Sequence, residues 1–132
     1  MANGAEALID AALTPQFAKR VQGYPKKNRV KILNFIRHLQ SFGFDNLPGR
    51  NKPSDDINKD SPDFIEVVRF VREHCLWHYH IGIHDYAPGT PHGDQTSMFV
   101  LHYSRKQPDF VRVVHMSAHP PFEQPTVEMV TY

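Results

Sequence analysis

His78 and His80 stand one residue apart in the stretch Leu76-Trp-His-Tyr-His-Ile-Gly-Ile, and His84 follows shortly after. On an extended backbone, side chains two apart leave the same face, so the first two imidazoles point together. Imidazole is the side chain whose ordinary pKa lies nearest neutrality, which suits it to taking and giving protons at pH 7. One chemistry that follows is metal-free RNA cleavage. The 2′-hydroxyl must lose a proton to attack the adjacent phosphate, the leaving 5′-oxygen must gain one, and the charge growing on phosphorus must be stabilised. His78, His80, His102 and His119 supply imidazoles for the first two tasks. Arg105, with Arg50 and Lys52 upstream, supplies cations for the third, arginine by a bidentate grip on phosphate oxygens. His119 precedes Pro120-Pro121, which restricts the backbone just after it and fixes an accessible side chain.

The same histidines allow a second chemistry. A neutral imidazole is also a metal ligand, and His84 or His102 would complete a three-histidine site around His78 and His80. A His-x-His pair with a third ligand downstream is similar to the small β-barrel metalloproteins called cupins. About four strands can be counted here, too few for such a barrel, and the usual downstream Glu is missing. Both chemistries stay open at this point, beside blander readings. His102 and His115 can equally be satisfied sheet histidines, Arg50 and Lys52 solvated charges, and Trp77 and Tyr103 core residues. Ser54, Ser97 and Ser117 form no nucleophile elbow. Cys75 follows His74 at a helix end, where adjacent residues do not face each other. Asp55-Asp56 and Asp63 with Glu66 read as solvated acids.

The elements that must position these groups are legible by period. Leu76–Ile83 alternates, with Trp77, Tyr79, Ile81 and Ile83 on one face and Leu76, His78, His80 and Gly82 on the other, the row continuing to His84. Residues 97–104 alternate in the same way, and residues 110–117 form a third strand after a polar turn at 105–109. Thr126–Tyr132 alternates weakly, as an edge strand would. Upstream, Met1–Ala12 is Ala-rich and reads as a short helix. Thr14-Pro15 caps a second helix to about Gln22. Asn28 caps the clearest one, which runs to Phe42 with Ile32, Leu33, Phe35, Ile36, Leu39 and Phe42 inward, and Gly43 ends it. Residues 47–59 form a turn-rich basic loop carrying Arg50 and Lys52. Ser61-Pro62-Asp63 starts a further helix that ends near His74. The expected fold is α+β: helices on one face of a mostly antiparallel four-stranded sheet, with the histidines on its open face.

At 132 residues the chain reads as a single domain, with a helical extension at 1–25, a core at 26–122 and a C-terminal segment at 123–132. Its single cysteine excludes an internal disulfide and a multi-cysteine zinc site, and fits a reducing, cytoplasmic setting. No apolar run approaches the roughly 20 residues of a membrane span, and no secretory signal is evident. The formal net charge of +1 permits a nucleic-acid partner without demanding one, and several of the nine histidines, partly charged near neutral pH, would favour a polyanion.

Two helices, a turn-rich basic loop, a sheet with a polar face and a histidine after the last strand resemble the bacterial RelE/ParE superfamily of toxins, nearest its YafO-type branch. The segments that carry the likeness are Leu47-Pro-Gly-Arg-Asn-Lys, Leu76-Trp-His-Tyr-His-Ile-Gly, Phe99-Val-Leu-His-Tyr-Ser-Arg and Val114-His-Met-Ser-Ala-His-Pro-Pro-Phe. The resemblance implies the toxin of a type II toxin–antitoxin pair, an endoribonuclease that cuts mRNA on the ribosome without metal or cofactor. Its partners would be mRNA and a neutralising antitoxin, with no membrane, and self-association is possible. By position, His78, His80, His119 and Arg105 would be catalytic, and Arg50, Lys52, His84 and His102 would bind RNA. A metal-dependent enzyme, or a non-catalytic or gyrase-targeting member of the same fold, are the other readings.

Overall fold

A computed structural model describes residues 7–132. The chain runs β1 (Asp10–Leu13), α1 (Pro15–Gln22), α2 (Lys26–Phe42), β2 (Asn51–Pro53), α3 (Phe64–Glu73), β3 (Leu76–His80), β4 (Phe99–Gln107), β5 (Phe110–Ala118) and α4 (Val127–Val130). One open five-stranded sheet has the order β1-β5-β4-β3-β2. β1 is parallel to β5, and every other pairing is antiparallel. The α+β class is as expected, but the four-stranded antiparallel sheet is corrected to five strands of mixed direction.

The difference arises at both ends of the chain. The helix expected over Met1–Ala12 lies partly outside the described residues, and its remainder is strand β1, with Asp10 opposite Phe110 and Leu13 opposite Val113. Ile9 and Ala11 are buried while Asp10 is exposed, which is the alternation of an edge strand. Thr14 precedes Pro15 and is held extended, with ψ 153°, so the chain leaves the strand straight into α1. The Thr14 side chain then accepts from the Phe17 N–H, as an N-cap should. Residues 9–22 are therefore built into the sheet and its core instead of lying outside them. At the other end, the edge strand expected over Thr126–Tyr132 is replaced by the one-turn helix α4, Val127–Val130. β2 falls inside the expected loop, so Arg50 and Lys52 lie at an edge strand.

Helix α2 begins at Lys26 because Pro25, with φ −54°, turns directly into it. The Pro25 carbonyl accepts from Asn28 and Arg29, so Asn28 lies inside the first turn and is not the cap. Similarly, Ser61-Pro62-Asp63 forms a turn before α3, which starts at Phe64. Helices α1 and α2 cover one sheet face. Phe17, Ile32, Phe35 and Leu39 meet Tyr79, Ile83, Leu101, Tyr103, Val111 and Val113 there, all at most 3% exposed. Each such side chain contributes about 2 kcal/mol by leaving water. The other face is not wholly open, as had been expected. α3 and α4 cover one end of it through Val71, Leu76, Val114 and Val130, and Ser104 Oγ bonds the Tyr132 hydroxyl beside them. The histidines occupy the remainder of that face.

Candidate active site

The register places Lys52 opposite His78, His78 opposite His102, and His102 opposite His115. One row of side chains therefore crosses four strands on one face. The His80 N–H donates to the Arg50 carbonyl, so Arg50 flanks His80 as Lys52 flanks His78. His119 lies one residue past β5, where its N–H donates to the Met98 carbonyl and extends the ladder. Its ring comes within 5.9 Å of His78 and 5.6 Å of His80, centroid to centroid. The His78 and His80 rings are 6.4 Å apart. Phe122 folds back over this group, 4.6 Å from His78, 5.0 Å from His119 and 5.4 Å from His102.

Three of the four strand histidines, His78, His80 and His102, are held by serines that sequence inspection set aside. His78 Nδ1 lies 2.9 Å from Ser54 Oγ, and His102 Nε2 lies 2.7 Å from Ser117 Oγ. His80 Nδ1 faces both backbone groups of Ser97, its N–H at 2.9 Å and its carbonyl at 3.0 Å. The two contacts belong to different protonation states. A neutral His80 accepts the Ser97 N–H at Nδ1 and keeps its own proton on Nε2. A charged His80 donates from Nδ1 to the Ser97 carbonyl. His80 is 5% exposed, and in both states its Nε2–H has no hydrogen-bond partner among the described residues.

Burial sets the electrostatics. His78 is 7% exposed, and its pKa is pushed down to about 4, first by desolvation and then by His119, His80 and Lys52. His80 is also held below its usual value by burial, opposed by the Ser97 hydrogen bond. His119 is half-buried and lowered by desolvation, then by Lys52 and Arg50. His102 is fully buried and pushed down to about 3, with His115, His78 and His119 adding to desolvation. At pH 7 these imidazoles are neutral bases. Lys52 pairs with Asp56 at 2.9 Å, and Arg50 grips Asp94 bidentately at 2.6 and 3.1 Å. Both pairs are exposed, so they exchange readily for an incoming anion.

Five of the eight expected site residues thus come together: His78, His80, His119, Arg50 and Lys52. Three do not join them. His102 lies in the row but is fully buried beneath Phe122. Gly82, with φ +80°, breaks the alternation; His84 beyond it is exposed, its ring edge-on to Phe99 at 5.9 Å. Arg105 is on β4 and not in a turn, because the hairpin closes over only Pro108 and Asp109. Its guanidinium lies over Phe44 at 4.2 Å and Trp77 at 5.6 Å, on the helix side of the sheet, and donates to the Pro108 carbonyl.

Ser54, Ser97 and Phe122 were missed, as was Gln124, whose Nε2 donates to the Ser54 carbonyl. Alternation from Lys52 to Ser54 could have flagged the first. Nδ1 of His102, His115 and His119 and Oε1 of Gln124 are buried with no hydrogen-bond partner among the described residues. No three His, Cys, Asp or Glu side chains among the described residues are arranged to hold a metal ion, so the three-histidine metal set is not assembled. None of the described helices is long and apolar enough to cross a membrane. Compared with known proteins, the chain matches no family model, no curated protein and no solved structure.

Proposed function

We propose that the chain is a metal-independent endoribonuclease of the RelE/ParE toxin type, cutting mRNA on the ribosome and neutralised by an antitoxin protein. The observation that carries this reading is the convergence of His78, His80 and His119 beside Lys52 and Arg50. The layout behind the family likeness supports it too: two helices, a basic segment, a sheet with a polar face and a histidine after the last strand.

His119 is the most exposed of the three imidazoles and neutral at pH 7, so it takes the proton from the 2′-hydroxyl. The 2′-oxygen then bonds to phosphorus as the bond to the 5′-oxygen breaks. His80 gives that oxygen its proton from Nε2, leaving a 2′,3′-cyclic phosphate and a 5′-hydroxyl. The bound phosphate itself charges His80, since a nearby anion raises an imidazole pKa, and the Ser97 carbonyl stabilises the imidazolium through Nδ1–H. Lys52 and Arg50 exchange Asp56 and Asp94 for phosphate oxygens. Phe122 offers an aromatic surface for a splayed base.

The test is induced expression of the wild type and of a His80→Ala, His119→Ala double variant in a bacterium, following growth and the integrity of abundant mRNAs. Growth arrest with shortened transcripts in the wild type alone is expected. Arrest with intact mRNA would redirect the reading to a protein target such as gyrase. A soluble wild type without effect would overturn it.

A further inference from the structure

A cavity of about 360 Å3 lies on the helix side of the sheet, behind the histidines. That volume is within the usual range for small-molecule sites. Phe35, Leu47, Pro48 and Ile81 give it apolar walls, and Phe35 stacks on Tyr79 at 4.6 Å. Tyr79 and Tyr86 also line it, in a network whose directions can be assigned. The Gly49 N–H donates to Tyr79 Oη at 3.1 Å, and the Tyr86 hydroxyl donates to the His80 carbonyl at 2.7 Å. The phenols lie 3.1 Å apart, so the Tyr79 proton must go to Tyr86 Oη. Both hydroxyls have spent their protons and retain acceptor capacity. Burial raises both phenol pKa values, so neither becomes an anion.

The polar groups at the mouth repeat this bias. His38 Nε2 donates to the Asp45 carbonyl at 2.6 Å, which leaves Nδ1 as an acceptor. Lys31 Nζ donates to the Gly82 and His84 carbonyls, both at 2.6 Å, and lies 3.9 Å from Asp85. Two of its three N–H groups are committed to these carbonyls, and Asp85 offsets its charge. Only the exposed Asn34 amide offers both a donor and an acceptor, the pairing that matches an adenine edge.

We propose that this cavity is a binding site for a neutral, donor-rich aromatic heterocycle of the amino-purine class. Apolar walls take the ring faces, unused acceptors take its N–H groups, and a lysine already held by two carbonyls at 2.6 Å and offset by Asp85 disfavours carboxylates and phosphates. The site lies on the opposite sheet face from the histidines and reaches them only through the Tyr86 bond to the His80 carbonyl. It therefore does not depend on the nuclease reading.

The test is calorimetric titration of the full chain with adenosine, with purine riboside, which lacks the 6-amino group, and with benzoate. Saturable adenosine binding is expected, about tenfold tighter than purine riboside, which is one hydrogen bond's worth. Benzoate should not bind. Asn34→Leu, on the exposed face of α2, and Tyr86→Phe should each weaken adenosine about tenfold, with folding checked by circular dichroism. His80→Ala should leave binding intact. No saturable adenosine binding, equal affinity for purine riboside, or unchanged affinity in both cavity variants would overturn the proposal. Competition by an oligoadenylate that depends on Asn34 would identify the base as part of an RNA strand; lack of competition would identify it as free nucleoside.

Discussion

Replacing His102 by glutamine should flatten the acid sensitivity of the fold. His102 is fully buried, with its pKa pushed down to about 3 from an ordinary 6.5. The folded chain therefore resists protonation there, while the unfolded chain accepts it. As the pH falls below 6.5 the unfolded state gains a proton that the folded state does not, and stability declines until the pH passes below the folded value. Above 6.5 both states are neutral and the term vanishes. At pH 5 the linkage relation gives about 2 kcal/mol from His102 alone. His78, lowered to about 4, contributes about 2 kcal/mol more at the same pH. Together they remove a sizeable share of a typical stability of about 5–15 kcal/mol. Glutamine places an amide near the Nε2 position, so the contact with Ser117 Oγ survives. Urea unfolding of wild type and His102→Gln at pH 7.5 and pH 5 is the assay. The variant should be somewhat weaker at pH 7.5 through lost packing, but its loss on going to pH 5 should be about 2 kcal/mol smaller. The same pH loss in both proteins would refute the idea that a buried neutral imidazole governs acid sensitivity.

Ser54→Ala should remove the hydroxyl beside His78 Nδ1, costing about 1 kcal/mol in denaturant unfolding. On the proposed nuclease reading it should also slow cleavage of an RNA substrate in vitro, by loosening the His78 ring beside His80 and His119. Gly49→Ala should destabilise by more than 3 kcal/mol, or abolish folding. Its Cβ would fall 2.0 Å from the His80 carbonyl oxygen and 2.7 Å from the Tyr86 hydroxyl, so β2 and β3 could not keep their spacing. Lys52→Ala should change stability by less than about 1 kcal/mol, because the Asp56 pair is exposed. It should raise the His119 pKa, seen by NMR titration, because a cation that disfavours the imidazolium has gone.

Strand β3 was legible because its signal is local. Its period-two pattern fixes which residues face the helices, and Trp77 and Tyr79 go there as alternation requires, while Ile81 and Ile83 join the same core beyond the strand's end at His80. Strand β1 was not legible, because its Ala-rich stretch favours a helix and only a distant partner decides otherwise. β2 is three residues long and ends in Pro53, so the turn signals around it dominate. Arg105 was misplaced by hairpin length: a two-residue turn keeps it on β4, with the face of Tyr103. His84 was misplaced because one backbone angle at Gly82 ends the alternation. Phe122 reaches His102, and the three serines reach their histidines, across 15 or more residues of chain, and no local pattern encodes such contacts. The aggregate of imidazoles was visible in outline, while what holds each ring was not.

The pairing of β1 with β5 joins Asp10 to Phe110 and Leu13 to Val113, partners one hundred residues apart in the chain. Closing a loop of that length carries a large entropic cost before any contact repays it, which slows folding. A ribosome emits a chain from its N-terminus, so β1 waits, unpaired, until β5 has emerged. During that interval β1 presents an open edge and α1 has only part of its apolar support. His119 and Phe122 emerge later still, so the histidine cluster is among the last parts of the sheet to form. The histidine cluster of a nascent chain of this design assembles only after β5 and the turn beyond it have emerged, and its early strand is the segment most in need of protection on the way.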